Sequence, residues 1–239
     1  MKKILITGTS SGFGKALLKN LFKEFYVICI SRRNPNFKKK NIEFYKCDLS
    51  NSHALENCLK KIQKRHKYIP YIINNAGIFQ TSKVENLKLS AINNFFKVNC
   101  FAPALITKKF IRQMKKNNFG RIVNITSGAP LNIAPTGFLY SASKAALNIF
   151  TITAAKENLN TNVKINLFSP GQVKTEMMPK AKNNPKNSVK YLKILLDEKK
   201  NLFTGKFLWT KYLIPIVPNL KSIDWSKGTA PKKFRLKKI

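Results

Sequence analysis

Short apolar runs of strand length alternate with longer helical patterns along most of the chain, and the first run ends in a glycine-rich turn. This alternation constrains the fold more than any other feature. Strands separated by helices pair in parallel, and their crossovers cover both faces of the sheet. The strand-like runs are Ile4–Thr7, Tyr26–Ile30, Ile42–Tyr45, Tyr71–Asn74, Arg121–Thr126, Lys164–Ser169 and a last one near Lys206–Trp209. Helical patterns fall at about 13–24, 51–66, 90–117, 139–158 and 186–199. The expected architecture is α/β: a doubly wound, mainly parallel sheet of about seven strands with helices on both faces. With 239 residues, no internal repeat and no Gly/Ser-rich linker, a single domain spanning 1–239 fits better than two.

Charge is the unusual feature of the composition. Lys and Arg number 45 against 10 Asp and Glu, a formal net charge of +35. Such a field attracts anionic ligands such as nucleotides. Lys dominates it, however, alongside abundant Asn, Ile and Phe, the joint signature of an AT-rich coding bias. No nucleic-acid reader motif is interleaved with the basic residues, so a solvated Lys-rich surface is expected and no specific nucleic-acid partner. A basic polyanion-binding protein on the same scaffold would need steeply salt-dependent binding. No apolar run approaches bilayer length, so no membrane insertion is expected. Met1–Ile6 resembles the start of a signal peptide, but Thr7, Gly8 and Ser10 cut the apolar segment short, and a cytoplasmic location is expected. Cys29, Cys47, Cys58 and Cys100 form no Cys-x-x-Cys pair, and Cys29 and Cys47 read as reduced core thiols. His53 and His66 have no second ligand at metal spacing, so no metal site is expected.

Three segments carry chemistry. After the first strand the chain reads Thr7-Gly8-Thr9-Ser10-Ser11-Gly12-Phe13-Gly14 and then turns helical. Glycines there let the backbone approach a pyrophosphate, whose charge the helix N-terminus favours. Tyr140 and Lys144, in Tyr-Ser-Ala-Ser-Lys, lie four apart on a helical stretch and so share one face. A nearby ammonium lowers a phenol's pKa, which otherwise stands near 10. Ser127 closes the apolar strand Ile122–Thr126, where doubly wound sheets place their ligands and where a hydroxyl can donate to a carbonyl oxygen. At the end of the second strand stand Ser31-Arg32-Arg33, where an NAD site commonly carries an acidic residue. Ser31 repels no phosphate, and Arg32, assisted by Arg33, can pair with a 2′-phosphate.

Taken in order, these motifs resemble those of the short-chain dehydrogenase/reductase family, in its main single-domain branch with a Rossmann fold. Thr7-Gly8-x-x-x-Gly12-x-Gly14 matches that family's cofactor motif and Asn74-Asn75-Ala76-Gly77 its motif after the fourth strand. Asn99 in Val98-Asn99 matches the helix asparagine. Ser127, Tyr140 and Lys144 match the remaining catalytic positions, and Pro170-Gly171-x-Val173-x-Thr175 the segment after the sixth strand. The resemblance covers about residues 2–209. It implies NADP(H) as cofactor, a small-molecule carbonyl or alcohol substrate, and a homotetramer or homodimer formed through the helices near 90–117 and 139–158.

Residue by residue, the resemblance implies that Tyr140 exchanges the proton and that Lys144 lowers the tyrosine pKa and holds the nicotinamide ribose. Ser127 would polarise the carbonyl and Asn99 would hold a water beside Lys144. Gly8, Ser10, Ser11, Gly12, Phe13 and Gly14 would contact the pyrophosphate, and Ser31, Arg32 and Arg33 the ribose phosphate. Asp48 and Leu49 would meet the adenine. Asn75, Ala76, Gly77, Pro170, Gly171, Val173 and Thr175 would complete the nicotinamide side, while Asn74 reads as a brace of the central sheet.

Residues 176–200, including Met177, Met178 and Pro179, are expected as a mobile substrate lid. After Phe203–Leu208 the frequent Asp-Gly-Gly ending is missing, and residues 210–239 form a divergent tail closing in Phe234–Ile239. That tail loosely resembles reductases of bacterial surface-sugar and flagellin-glycan pathways, which implies a sugar or sugar-nucleotide ketone as substrate. A 3-oxoacyl-thioester reductase with an acidic carrier protein is the enzymatic alternative. A non-catalytic NADP(H)-sensing regulator is the other, and the intact set Asn99, Ser127, Tyr140 and Lys144 argues against it.

Overall fold

The structure is a computed structural model and describes residues 1–133 and 135–216. Strand β1 (Lys2–Thr7) lies inside the sheet, with β2 (Phe25–Ser31) and then β3 (Ile42–Lys46) on one side of it. On the other side follow β4 (Tyr71–Asn74), β5 (Gly120–Ile125), β6 (Val163–Ser169) and β7 (Phe207–Trp209), all paired in parallel. The sheet is α/β and doubly wound as expected, with eight strands among the described residues where about seven were expected. A short β8 (Tyr212–Ile214) returns antiparallel along β7, with Trp209 opposite Tyr212. It falls in the stretch expected as tail; three residues are too few to give an alternation signal. Thr210, at φ 51, makes the tight return in the left-handed conformation that glycine usually takes. The closing Phe234–Ile239 lies outside the described residues.

Side chains alternate along the strands between two apolar layers, as the two-residue period of a strand requires. Leu5, Ile28, Ile72 and Ile122 face one layer, completed by Leu55, Leu59 and Ile62 of α2 (Ser52–His66) and Ile106 and Phe110 of α4 (Ala102–Lys116). Ile4, Ile6, Val27, Ile73 and Val123 face the other, built with α1 (Gly12–Leu21) and α7 (Pro185–Leu196). Burial on both faces explains why the strands read as nearly continuous apolar runs.

Helix boundaries differ from the sequence expectation for local reasons. The first helix stops at Leu21, where the Glu24 N–H closes a turn onto Leu21 so that β2 can begin at Phe25. The long helix expected over 90–117 is divided: α3 (Leu89–Phe96) passes through one π-helical segment, Lys97–Phe101, into α4. Helix α7 ends at Leu196, where the Asp197 carboxylate accepts from the Lys199 and Lys200 N–H groups. Short helical turns at Val84–Asn86 and α5 (Ala129–Asn132) were not foreseen.

A buried amide ladder ties the sheet to α6 (Phe138–Lys156). Asn74 Nδ2 donates to Asn124 Oδ1 at 2.7 Å, Asn124 Nδ2 donates to Thr151 Oγ1 at 2.8 Å, and Thr151 Oγ1 donates to the Leu147 carbonyl. Thr126 Oγ1 donates to Asn148 Oδ1 at 2.6 Å beside it. The Asn124–Thr151 and Thr126–Asn148 bonds fix the height of α6 against β5, and the Asn74–Asn124 bond carries that restraint to β4. Replacing Asn124 by Ala leaves the buried Asn74 amide unpaired, removes one of the two bonds of Thr151 Oγ1 and should destabilise the protein by roughly 2–4 kcal/mol. Urea unfolding checks this; a loss well under about 1 kcal/mol would show that the ladder contributes little.

Candidate active site

The strands point their C-terminal ends at one cleft of about 570 Å³. It opens where the winding reverses between β1 and β4, the position at which open α/β sheets bind ligands. Along its floor run Gly8 to Gly14 after β1, Ser31 to Arg33 after β2, Cys47 to Leu49 after β3 and Asn75 to Phe79 after β4. Ser127 to Ala129 follow β5 and Ser169 to Thr175 follow β6. Every residue predicted for the site therefore lines this one cleft, except Asn99, which stands one layer behind it.

The glycine loop is held from below. The Thr7 hydroxyl oxygen accepts the N–H groups of Asn75 (3.0 Å) and Ala76 (2.9 Å), and Asn75 Nδ2 donates to the carbonyls of Thr7 and Gly8. Gly8 and Gly12 adopt φ of +71 and +52. At Gly14 a Cβ would stand 2.0 Å from the Gly8 carbonyl oxygen, so only glycine lets α1 start this close to β1. Ser11 places no side chain over the first turn of α1, and that turn has no acidic residue. Its free N–H groups and positive dipole end thus face the cleft, which suits a pyrophosphate.

Around Tyr140 the chemistry is set by burial. Lys144 is buried and its amine donates to the Ile125 carbonyl at 2.8 Å, 5.9 Å from the centre of the Tyr140 ring. Desolvation pushes its pKa down to about 8, with Cys100 pulling the other way. The sequence reading expected this ammonium to lower Tyr140. Here burial holds the phenol above its ordinary value, with only the Ser127 hydroxyl pulling it down. Asn99 sits in the π-helical segment, whose extra residue turns its amide toward the β4 loop. It accepts from the Ile78 N–H and donates to the Ile78 carbonyl and to Ser143 Oγ. A Cβ added at Gly77 would lie 3.3 Å from Asn99 Oδ1 and 3.5 Å from Lys144 Nζ, so that glycine leaves room for the Lys144 amine at the cleft and for Asn99 behind it.

At the β2 and β3 end, Ser31 is buried and donates to the Arg33 carbonyl, leaving Arg32 and Arg33 exposed at the cleft. Burial opposes ionisation of Asp48, but bonds from the Ser50 N–H and hydroxyl, with the charge of Arg32, hold its carboxyl below the usual range. Arg33 pairs at 3.2 Å with Glu176, which follows β6, so the pair reaches across the cleft. Glu176 is a cleft residue that sequence reasoning missed, although it is one of only 10 acidic residues and directly follows Thr175. Phe79 was missed too; its ring meets Tyr140 edge-on at 5.1 Å and 89°. Of the stretch expected as a lid, Met177 and Met178 line the cleft, whereas Val189, Leu192 and Leu195 of α7 pack into the core.

Comparison with known proteins agrees with this geometry. A family described as short chain dehydrogenase matches residues 2–186. A benzil reductase ((S)-benzoin forming) from Bacillus cereus is 31% identical over 236 residues, 92% of this chain and 94% of the relative. A 3-oxoacyl-[acyl-carrier-protein] reductase FabG from Rickettsia bellii is 29% identical over 192 residues, covering 77% and 78%. Among solved structures, ElxO with NADP bound superposes with a TM-score of 0.80 at 26% identity over 87% of this chain and 96% of the other. A 4-hydroxyisoleucine dehydrogenase complexed with NADH does so with 0.81 at 29% over the same shares. A nicotinamide cofactor fits the glycine cradle and the open N-terminus of α1. Gly14→Ala should accordingly weaken that cofactor at least about tenfold, since the added methyl must push α1 away from Gly8. Calorimetric titration tests this, and unchanged affinity would show that the cradle is not the binding surface.

Proposed function

The chain belongs to the short-chain dehydrogenase family, and on that premise we propose that it is an NADP(H)-dependent oxidoreductase interconverting a carbonyl and a secondary alcohol. One observation carries the reading: Ser127, Tyr140 and Lys144 converge on the cleft floored by the glycine loop. The nicotinamide cofactor supplies or accepts the hydride. Ser127, at the end of β5, offers its hydroxyl to the carbonyl oxygen, a donor held in place before the reaction. Burial keeps the Tyr140 phenol protonated at neutral pH, the state needed to deliver a proton to a developing alkoxide. Lys144, with its pKa near 8, still carries its charge at neutral pH and holds the field beside that phenol. Asn99, bonded to Ile78 and Ser143, fixes the wall behind Lys144.

The preference for NADP(H) rests on the β2 end of the cleft. Ser31 stands where an acidic residue would repel a 2′-phosphate, and Arg32 lies exposed beside it. Arg33, paired with Glu176, is the second cation there. The carbonyl partner is a small molecule. The tail resemblance leaves a sugar or sugar-nucleotide ketone as one reading of it, and the FabG relative supports a 3-oxoacyl thioester as another. Four free thiols suit a reducing, cytoplasmic compartment. Assembly into a homodimer or homotetramer is supported by apolar side chains left exposed on the helices expected to pair, among them Leu89, Phe101 and Ile149.

Tyr140→Phe keeps the ring and removes the proton, so turnover should fall at least ~10²-fold with cofactor affinity retained. Near-normal turnover of the purified variant, followed by NADPH oxidation, would remove Tyr140 from the acid/base role. Arg32→Ala should weaken NADPH by roughly 2–3 kcal/mol and leave NADH nearly unchanged. Equal affinity of the unaltered protein for the two cofactors at moderate salt would defeat the NADP(H) assignment.

A further inference from the structure

The cleft divides into a charged end and an uncharged one. Arg32, Arg33 and Asp48 all lie over β2 and β3. On the segments after β4, β5 and β6, at the end of β7, and on α3 and the π-helical segment, the lining turns to Phe79, Val98, Met177, Met178 and Trp209, with the neutral amides of Asn94, Asn132 and Gln172. Two charges border this end, and both are committed. The Lys144 amine is buried on the Ile125 carbonyl, and the Glu176 carboxylate is paired with Arg33. A chain with 45 Lys and Arg thus presents no open cation at its substrate end among the described residues.

We infer that the substrate is an uncharged, apolar or aryl ketone, and not a phosphorylated or nucleotide-linked one. This rests on the carbonyl chemistry proposed above. A phosphate or carboxylate taken into that end would lose water and, among the described residues, meet no open guanidinium or ammonium to replace it. An apolar group instead meets four large side chains that water now wets: Phe79, Met177, Met178 and Trp209 are 41%, 40%, 37% and 45% exposed around one mouth. Apolar surface gathered in one concave place marks a ligand surface. Phe79, edge-on to Tyr140, sets an aromatic wall beside the phenol, where a flat ring next to the reacting carbonyl can pack. The thioethers of Met177 and Met178 adapt to such a ring. The sugar-nucleotide ketone suggested by the tail is the substrate that this surface suits least.

Ethyl benzoylformate and benzoylformate test the inference, because they present the same aryl ketone with and without a negative charge. With NADPH and the intact protein at moderate salt, kcat/KM should favour the ester at least about 30-fold, even though a +35 chain attracts the anion over long range. Met177→Lys, placing an ammonium at the open mouth, should shift the ratio at least about tenfold toward the acid. An unaltered protein that reduces the acid as well as the ester, or a Met177→Lys variant that changes both substrates equally, overturns the inference. If neither is reduced with either cofactor, the carbonyl-reductase reading fails for aryl ketones, and binding decides the inference separately. Quenching of Trp209 fluorescence by the ester and not by the acid, with Trp209→Phe as control, sustains it. Quenching by both, or by neither, overturns it.

Discussion

Strands β1 and β4 end side by side while their loops leave in opposite directions, and the Thr7–Asn75 contact spans the gap so formed. A sheet wound outward both ways from β1 must leave a crevice there. Unsupported, the crevice would expose the carbonyls of Thr7 and Gly8 and the N–H groups of Asn75 and Ala76. The Thr7 hydroxyl and the Asn75 amide satisfy all of them. The loop is thereby fixed at the height where α1 begins, and Gly14 lets α1 press against it. The cofactor cradle, the seat of Gly77 and the position of the Phe79 wall all follow from that staple.

Buried polar groups then decide how α6 meets the sheet. Apolar packing alone would tolerate small slips of α6 along β4 and β5, because it is not directional. The ladder from Asn74 through Asn124 to Thr151, with Thr126 on Asn148, is directional and permits one height. Lys144 and Tyr140 ride on that same helix. Asn99, presented by the π-helical segment, completes the wall through Ser143. The candidate residues and two separate sets of buried bonds that hold them therefore meet on one helix, and a loose ladder would misplace the phenol.

Electrostatics works at two scales here. The overall positive charge gathers anions toward the surface, and salt screens it within about 10 Å. The cleft itself discriminates: its β2 end keeps exposed arginines and its uncharged end keeps thioethers and rings. The ion pair of Arg33 with Glu176 is largely exposed and contributes little to stability, so its weight lies in bridging the two sides of the cleft.

The parallel α/β winding, seven of the strands within a residue or two, and the ordered set Gly8, Gly12, Gly14, Ser127, Tyr140 and Lys144 were legible from sequence, because they depend on local periods and fixed spacings. Strand β8 was not, since three residues carry no period; nor was the π-helical segment, which serves a contact between Asn99 and a loop 21 residues away. The direction of the Tyr140 shift also escaped, because a four-residue spacing reports the proximity of Lys144 but not the burial of the phenol itself. Glu176 reaching Arg33, Phe79 standing against Tyr140 and the absence of open charge around Met177 and Trp209 join residues up to 143 positions apart. Local sequence determines which elements form and which reactive groups they carry. Only the tertiary packing decides which of those groups are desolvated, paired or left open, because desolvation and pairing depend on neighbours that the chain brings together from far along its length.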